Sequence, residues 1–167
     1  MQKGKSLRKV ICILAITFFV TAVSAQTVTT RFDNPSSYKF GAGVLIDFGD
    51  GATLVGPHAK YFFTPNHAGE GAILFGSGAT YIQGLYNYNM GFPEVDGLGW
   101  YIGAGPSIAF GSGSTAFSIL GSLGIEYSIP AAPFALSFDW RPRFFIIDSY
   151  TEFVAPRFGL GVRYTFN

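Results

Sequence analysis

His58 and Lys60 stand two residues apart, as do Asp139, Arg141 and Arg143, and Glu70, Arg157 and Arg163 complete the set of residues whose types could do chemistry. Such a set suits a catalytic site, a transport path, or a group of ion pairs that neutralise one another. A spacing of two is the period of a β-strand, whose successive side chains point to opposite faces. The elements that position these groups should therefore be strands.

Other motifs are weak. His58 and His67 are the only histidines and lack paired metal-ligand spacing, so a metal site is not expected. The Gly-x-Gly pairs at Gly41, Gly103 and Gly159 have no third glycine and no following helix, as dinucleotide binding would need. "DFG" at Asp47 stands without the other parts of a kinase. A lipid hydrolase would need a serine beside a histidine on a lipid-facing surface, and His58 has the opposite parity. No cofactor is implied, and the chain is expected not to be an enzyme.

The chain opens with Lys3, Lys5, Arg8 and Lys9, followed by "VICILAITFFVTAV" and the small-residue stretch "VSA". This predicts a cleaved signal peptide over residues 1–25, because the apolar run is shorter than the roughly 20 residues that span a bilayer. The only cysteine, Cys12, would leave with it, so the remainder has no disulfide and no thiolate. Four of the eleven Lys and Arg residues leave as well, and seven cations then face ten anions, a net of −3. That balance argues against a nucleic-acid partner, which a basic patch would mark. Residues 26–36 read as a short segment before the folded part at 37–167.

That part shows two-residue alternation broken by turn signals, in eight segments: 37–48, 54–63, 69–76, 79–89, 98–110, 116–128, 134–144 and 153–166. "GDGA", "TPNHA", "SG", "MGFPEVDG", "GSGS", "IPAAP" and "FIIDSYTE" lie between them. The fold class is therefore all-β, an eight-stranded antiparallel up-and-down barrel. Each segment has an apolar and a polar parity. Tyr38, Phe40, Ala42, Val44, Ile46 and Phe48 alternate with Lys39, Gly41, Gly43, Leu45 and Asp47. Val154, Pro156, Phe158, Leu160, Val162, Tyr164 and Phe166 alternate with Arg157, Gly159, Gly161, Arg163 and Thr165.

Size decides which parity faces inward. An eight-stranded barrel has room inside only for packed side chains. Trp100, Trp140 and more than a dozen Phe and Tyr do not fit there, so the apolar parity must face outward, and a continuous apolar exterior belongs in lipid. A lipocalin-like carrier would need the reverse arrangement. The expected interior is a polar network of Lys39, Asp47, His58, Lys60, Glu70, Glu126, Asp139, Arg141, Arg143, Arg157 and Arg163, with Asp47 near Arg157, Lys60 near Glu70, and Glu126 reaching Lys39 or Arg163. Tyr38, Phe40, Tyr61, Phe63, Tyr86, Tyr88, Trp100, Tyr127, Tyr164 and Phe166 should form an outer aromatic girdle. Pro57, Pro106, Pro142 and Pro156 fall inside strands, and bulging or fraying is expected towards the loop ends there.

The signal peptide, the eight amphipathic segments and the terminal "GLGVRYTF" resemble the small outer-membrane β-barrel proteins of Gram-negative bacteria, the OmpA/OmpX-like class. Asn167 departs from the pattern, since many members end on the aromatic. The resemblance implies insertion by barrel-assembly machinery that reads Gly161, Tyr164 and Phe166, outer-membrane lipid as the surroundings, and a monomer. The interior charges themselves read as a plug of ion pairs, since a buried charge without a partner is costly, and so as a structural or membrane-integrity barrel. A small porin-like pore or ligand binder is the alternative, and a lipid-modifying enzyme comes after that.

Overall fold

The computed structural model describes residues 38–166, apart from 77, 112, 148 and 149. The expected signal peptide and the segment 26–36 lie outside the described residues. The described chain forms ten strands: β1 Phe40–Gly49, β2 Ala52–Phe62, β3 His67–Gly76, β4 Ala79–Gly91, β5 Leu98–Gly111, β6 Ser114–Ser128, β7 Phe134–Trp140, β8 Arg143–Ile147, β9 Tyr150–Val154 and β10 Arg157–Phe166. β7 with β8, and β9 with β10, are each one barrel strand broken in the middle. The result is a closed, eight-stranded antiparallel barrel.

Closure is made by β1 and β10, which pair from Phe40↔Phe166 to Gly49↔Arg157. Neighbours in sequence are neighbours in the sheet, because glycines such as Gly78 (φ +73°) and Gly113 (φ +80°) allow the hairpins to turn within a few residues. The alternation in the sequence appears directly as alternating exposure. In β10, Phe158, Leu160, Val162 and Tyr164 are exposed, whereas Arg157, Gly159, Gly161 and Arg163 are buried. β-branched and aromatic side chains populate the outer face, where they pack on the pleated surface.

Inside, Tyr38, Phe62, Ala68 and Ala135 pack together at the end that holds Phe40 and Phe166. Leu45, Leu54, Ala72 and Leu74, with Tyr81 against them, form a second apolar cluster towards the other end. Tyr38 thus corrects the sequence reading, which placed it on the outer girdle. It precedes β1, so the strand's parity does not bind it, and its ring turns in to meet Phe62 edge-on at 5.3 Å. Lys39 is correspondingly exposed, 5.9 Å from the Tyr61 ring, and takes no part in the interior.

The prolines behave in two ways. Pro57 and Pro106 stand inside continuous strands, contrary to the expected fraying. Each faces one ladder that stays whole, Val44↔Pro57 and Pro106↔Ile119, and one that skips two rungs. The β2–β3 ladder passes from Val55↔Phe75 to His58↔Ala72, and β4–β5 from Gln83↔Ser107 to Tyr86↔Ala104. A glycine precedes both prolines for a steric reason. A Cβ on Gly56 would lie 1.9 Å from the Ile73 carbonyl oxygen, and one on Gly105 1.9 Å from that of Gly84.

Pro142 and Pro156 do break their strands, side by side. The gap is bridged by Arg141 N–H donating to the Arg157 carbonyl (2.8 Å) and the Trp140 indole donating to the Ala155 carbonyl (2.6 Å). Between the rungs Trp140↔Phe158 and Arg143↔Val154, one strand has two residues and the other three. This one-residue bulge reverses the parity above it. Val154, expected outside, is buried, and Phe153 is exposed and stacks on Phe144 at 4.4 Å. Pro142 keeps its expected outward parity but is covered there, packed against Gly121, whose Cβ would lie 3.2 Å from its ring. The stretch "FIIDSYTE", read as a connection, contributes the ends of β8 and β9.

Gly56→Ala and Gly105→Ala should each destabilise the barrel by about 1–3 kcal/mol, the cost of forcing backbone apart. Gly84→Ala, whose Cβ would meet nothing within 4 Å, should stay within about 0.5 kcal/mol of the parent. Urea unfolding of the refolded protein measures all three, and equal losses would refute the steric account.

Candidate functional site

The ionisable side chains expected inside are buried there, Lys39 excepted, and they fall into three connected groups. Each strand contributes through its inward parity, so residues distant in sequence meet across the lumen.

Nearest the Tyr38 end, Glu126 of β6 is the hub. Its carboxylate accepts from the Tyr38 hydroxyl (2.8 Å), from Lys60 Nζ (2.9 Å) and from the Arg163 guanidinium. Lys60 also donates to Asn89 Oδ1 (2.7 Å), and its ammonium lies 4.5 Å from the centre of the Tyr101 ring and 5.0 Å from that of Phe62. An ammonium with two acceptors and two aromatic faces is well compensated for losing water. The crevice beside Glu126, lined by Phe62, Asn89, Gly99, Trp100 and Tyr101, has a volume of about 10 Å³. That is room for about one water molecule.

In the middle, Glu70 of β3 holds three partners. His58 Nε2 lies 3.0 Å from Oε1, Arg141 Nη2 lies 3.3 Å from the same oxygen, and Asn87 Nδ2 donates to Oε2 at 2.9 Å. Ser122 supports Asn87 at 2.9 Å. Arg163 Nη1 reaches His58 Nδ1 at 3.2 Å and so links this group to the first. Asp139 accepts from the Tyr101 hydroxyl at 2.6 Å and lies 3.7 Å from Arg141.

Towards the other end, two arginines share one carboxylate. Asp47 accepts from Arg157 Nε (2.9 Å) and from Arg143, and Arg157 also donates to the Gly49 carbonyl (2.9 Å). The Arg143 guanidinium lies 4.9 Å from the centre of the Tyr81 ring.

Two expected contacts are therefore present, Asp47 with Arg157 and Glu126 with Arg163. Lys60 and Glu70 are opposite one another in the β2–β3 ladder, but their side chains part. Lys60 goes down to Glu126 and Glu70 goes across to His58 and Arg141, because each finds a denser set of partners there. Sequence reasoning missed Tyr38, Tyr101, Asn87 and Asn89. The last three carry a signal that was available, since they share the inward parity of Gln83 and Ser107 on β4 and β5. Gly161 faces inward against Ser137. Tyr164 and Phe166 face outward, 4.9 Å apart, with Phe166 stacked on Phe40 at 5.6 Å.

Chemically, each of the four buried carboxylates, Asp47, Glu70, Glu126 and Asp139, is engaged by cations or hydrogen-bond donors. The arrangement pairs each of these carboxylates internally, with one more buried cation than carboxylate among the described residues. On the outside, small side chains make shallow apolar troughs, one of about 440 Å³ bordered by Ala42, Pro57, Ala59, Gly71, Ile73 and Ile82.

No family model and no curated protein sequence matches this chain. Among solved structures, it is similar to a barrel from work described as the de novo design of transmembrane beta-barrels, with a TM-score of 0.54 and 14% identity. The match covers 76% of this chain and 93% of the designed one, and at that identity it speaks to the fold alone.

Proposed function

We propose that this chain is an outer-membrane β-barrel of the OmpA/OmpX-like kind, with a structural or membrane-integrity role and a lumen plugged by its own ion pairs. The observation that carries the reading is its inverted polarity. Charged side chains are buried in a closed sheet, while Val, Ile, Leu, Phe, Tyr and Trp side chains are exposed all round it. Water would penalise such an exterior, and lipid would not. The height of the apolar zone supports this. From Phe117 to Tyr127 on β6 the outer parity is apolar throughout apart from Gly121. Ten residues of strand at ~3.3 Å each, tilted by ~40°, span about 25 Å, the height of an outer-membrane barrel's apolar band. Phe40, Tyr61, Phe63, Tyr86, Tyr127, Phe134, Tyr164 and Phe166 then form the lower aromatic girdle. On this reading the signal peptide is removed after Ala25, and assembly machinery reads Gly161, Tyr164 and Phe166.

In fractionated cells the protein should appear in the outer membrane and run faster on a gel before heating than after. Recovery from the soluble periplasm without any heat-dependent shift would overturn the proposal. Purified protein in planar bilayers should pass no steady current. A steady current altered by arginine substitution would replace the plug with the porin-like alternative. Glu126→Gln leaves Lys60 and Arg163 facing a neutral amide, and stability should fall by about 3–5 kcal/mol in urea titrations, as for a buried pair that loses one partner.

A further inference from the structure

Arg141 and Arg143 are successive inward side chains at the β7–β8 break, and each crosses the lumen like a bar. Arg141 reaches Glu70 on β3, and Arg143 reaches Asp47 on β1 and the ring of Tyr81 on β4. Between the two bars the wall is made by the inward residues of β4, β5 and β6. Gln83 stands opposite Ser107 in one ladder, and Ser107 opposite Ser118 in the next. Gln83 is two residues from Tyr81, which Arg143 covers, and opposite Ala72, which is two residues from Glu70, which Arg141 engages.

Two independent observations converge on this layer. The first is hydrogen bonding: Nε and Nη1 of Arg141, Nε of Arg143, Nε2 and Oε1 of Gln83 and Oγ of Ser107 are all buried without a hydrogen-bond partner among the described residues, as is one carboxylate oxygen, Oδ1 of Asp139, whose Oδ2 lies 3.7 Å from Arg141 Nη1. Groups able to donate dominate that set. The second is charge. Among the described residues the buried cations are Lys60, Arg141, Arg143, Arg157 and Arg163, and the buried carboxylates are Asp47, Glu70, Glu126 and Asp139, so five face four with histidine counted as uncharged. An uncompensated charge in such an interior is costly. Among the described residues the unpartnered donors concentrate on Arg141, Arg143, Gln83 and Ser107, with Arg163 Nε and Ser128 Oγ standing apart from them.

We propose that this layer binds one small monovalent anion of halide size, held by Arg141, Arg143, Gln83 and Ser107. The inference rests on the interior charges and goes beyond the structural reading, since it assigns the lumen a ligand. An anion there supplies the missing negative charge and accepts from the unpartnered donors at once.

The test uses the full barrel, refolded and checked by its heat-dependent gel shift. With sodium bromide in place of sodium gluconate at equal ionic strength, the melting midpoint should rise by about 4 °C, as expected for a ligand that binds only the folded state. Crystals grown in bromide should show an anomalous peak within hydrogen-bond reach of Arg143 Nε and Gln83 Nε2. Gln83→Glu puts the missing carboxylate on the protein itself, so its midpoint should no longer depend on bromide and in gluconate should match or exceed the parent's in bromide. Water-like density without an anomalous peak, or an unaltered protein indifferent to bromide, would overturn the proposal. If Gln83→Glu fails to refold, the bromide map of the unaltered protein decides. A failed gel shift in the unaltered protein would count against the barrel reading, not against the anion site.

Discussion

The pairing of β1 with β10 is the constraint on which the rest of the structure depends. Once Phe40 to Gly49 is laddered to Phe166 to Arg157, each of the eight barrel strands has a neighbour on both sides, the β9 section alone being paired on one side only, and the sheet has an inside of fixed width. That width explains the division of the chain by parity. Large apolar side chains on every strand exceed what the inside can hold, so the face with Gly41, Gly103, Gly159 and Ser122 turns inward and makes room for the long arginines. The glycines facing the lumen are thus part of the electrostatics. A Cβ at Gly159 would sit 2.2 Å from Asp139 Oδ1 and 2.8 Å from Arg141 Cδ, in the space these two side chains occupy.

Burying so many charges works because none of the carboxylates acts alone. Glu126, Glu70 and Asp47 each take at least two cationic or histidine partners, and Tyr38, Asn87 and Tyr101 add neutral donors. Networks of this kind are worth more than isolated pairs, because each bond is made in a low-dielectric space and polarises the next. Their weakness is the same feature, for a single lost partner strands the others without access to water.

Much of the fold was legible from two-residue alternation alone. Strand count, hairpin order, the inward parity of the arginines and the Asp47 to Arg157 contact all follow from register. The errors cluster where parity stops being a guide. Tyr38 lies before the first rung and turns in. Val154 lies beyond a bulge that only counting rungs on both strands reveals. Lys60 and Glu70 are ladder partners whose side chains are long enough to choose others across the lumen. Tyr101 is a different case, since its parity is inward and only its aromatic ring argued otherwise; a buried tyrosine needs an acceptor for its hydroxyl, and Asp139 supplies one.

The four prolines show how a closed sheet absorbs residues that cannot donate. At Pro57 and Pro106 the preceding glycine lets the neighbouring strand's carbonyl move into the place of a Cβ, so two rungs are skipped while the strand runs on. At Pro142 and Pro156 the preceding residues, Arg141 and Ala155, leave no such space, and both strands leave the ladder together. Their coincidence matters for register. A single break would let one strand slip past its neighbour, and a slip of one residue turns a whole face over. With both breaks at one level, the bulge takes up one residue and Arg141 is pinned to Arg157 through the backbone. Arg143 and Arg157 then meet the same Asp47 from either side of the break. A slipped register would send these arginines to the apolar outer face, so the buried charges also act against the wrong pairing.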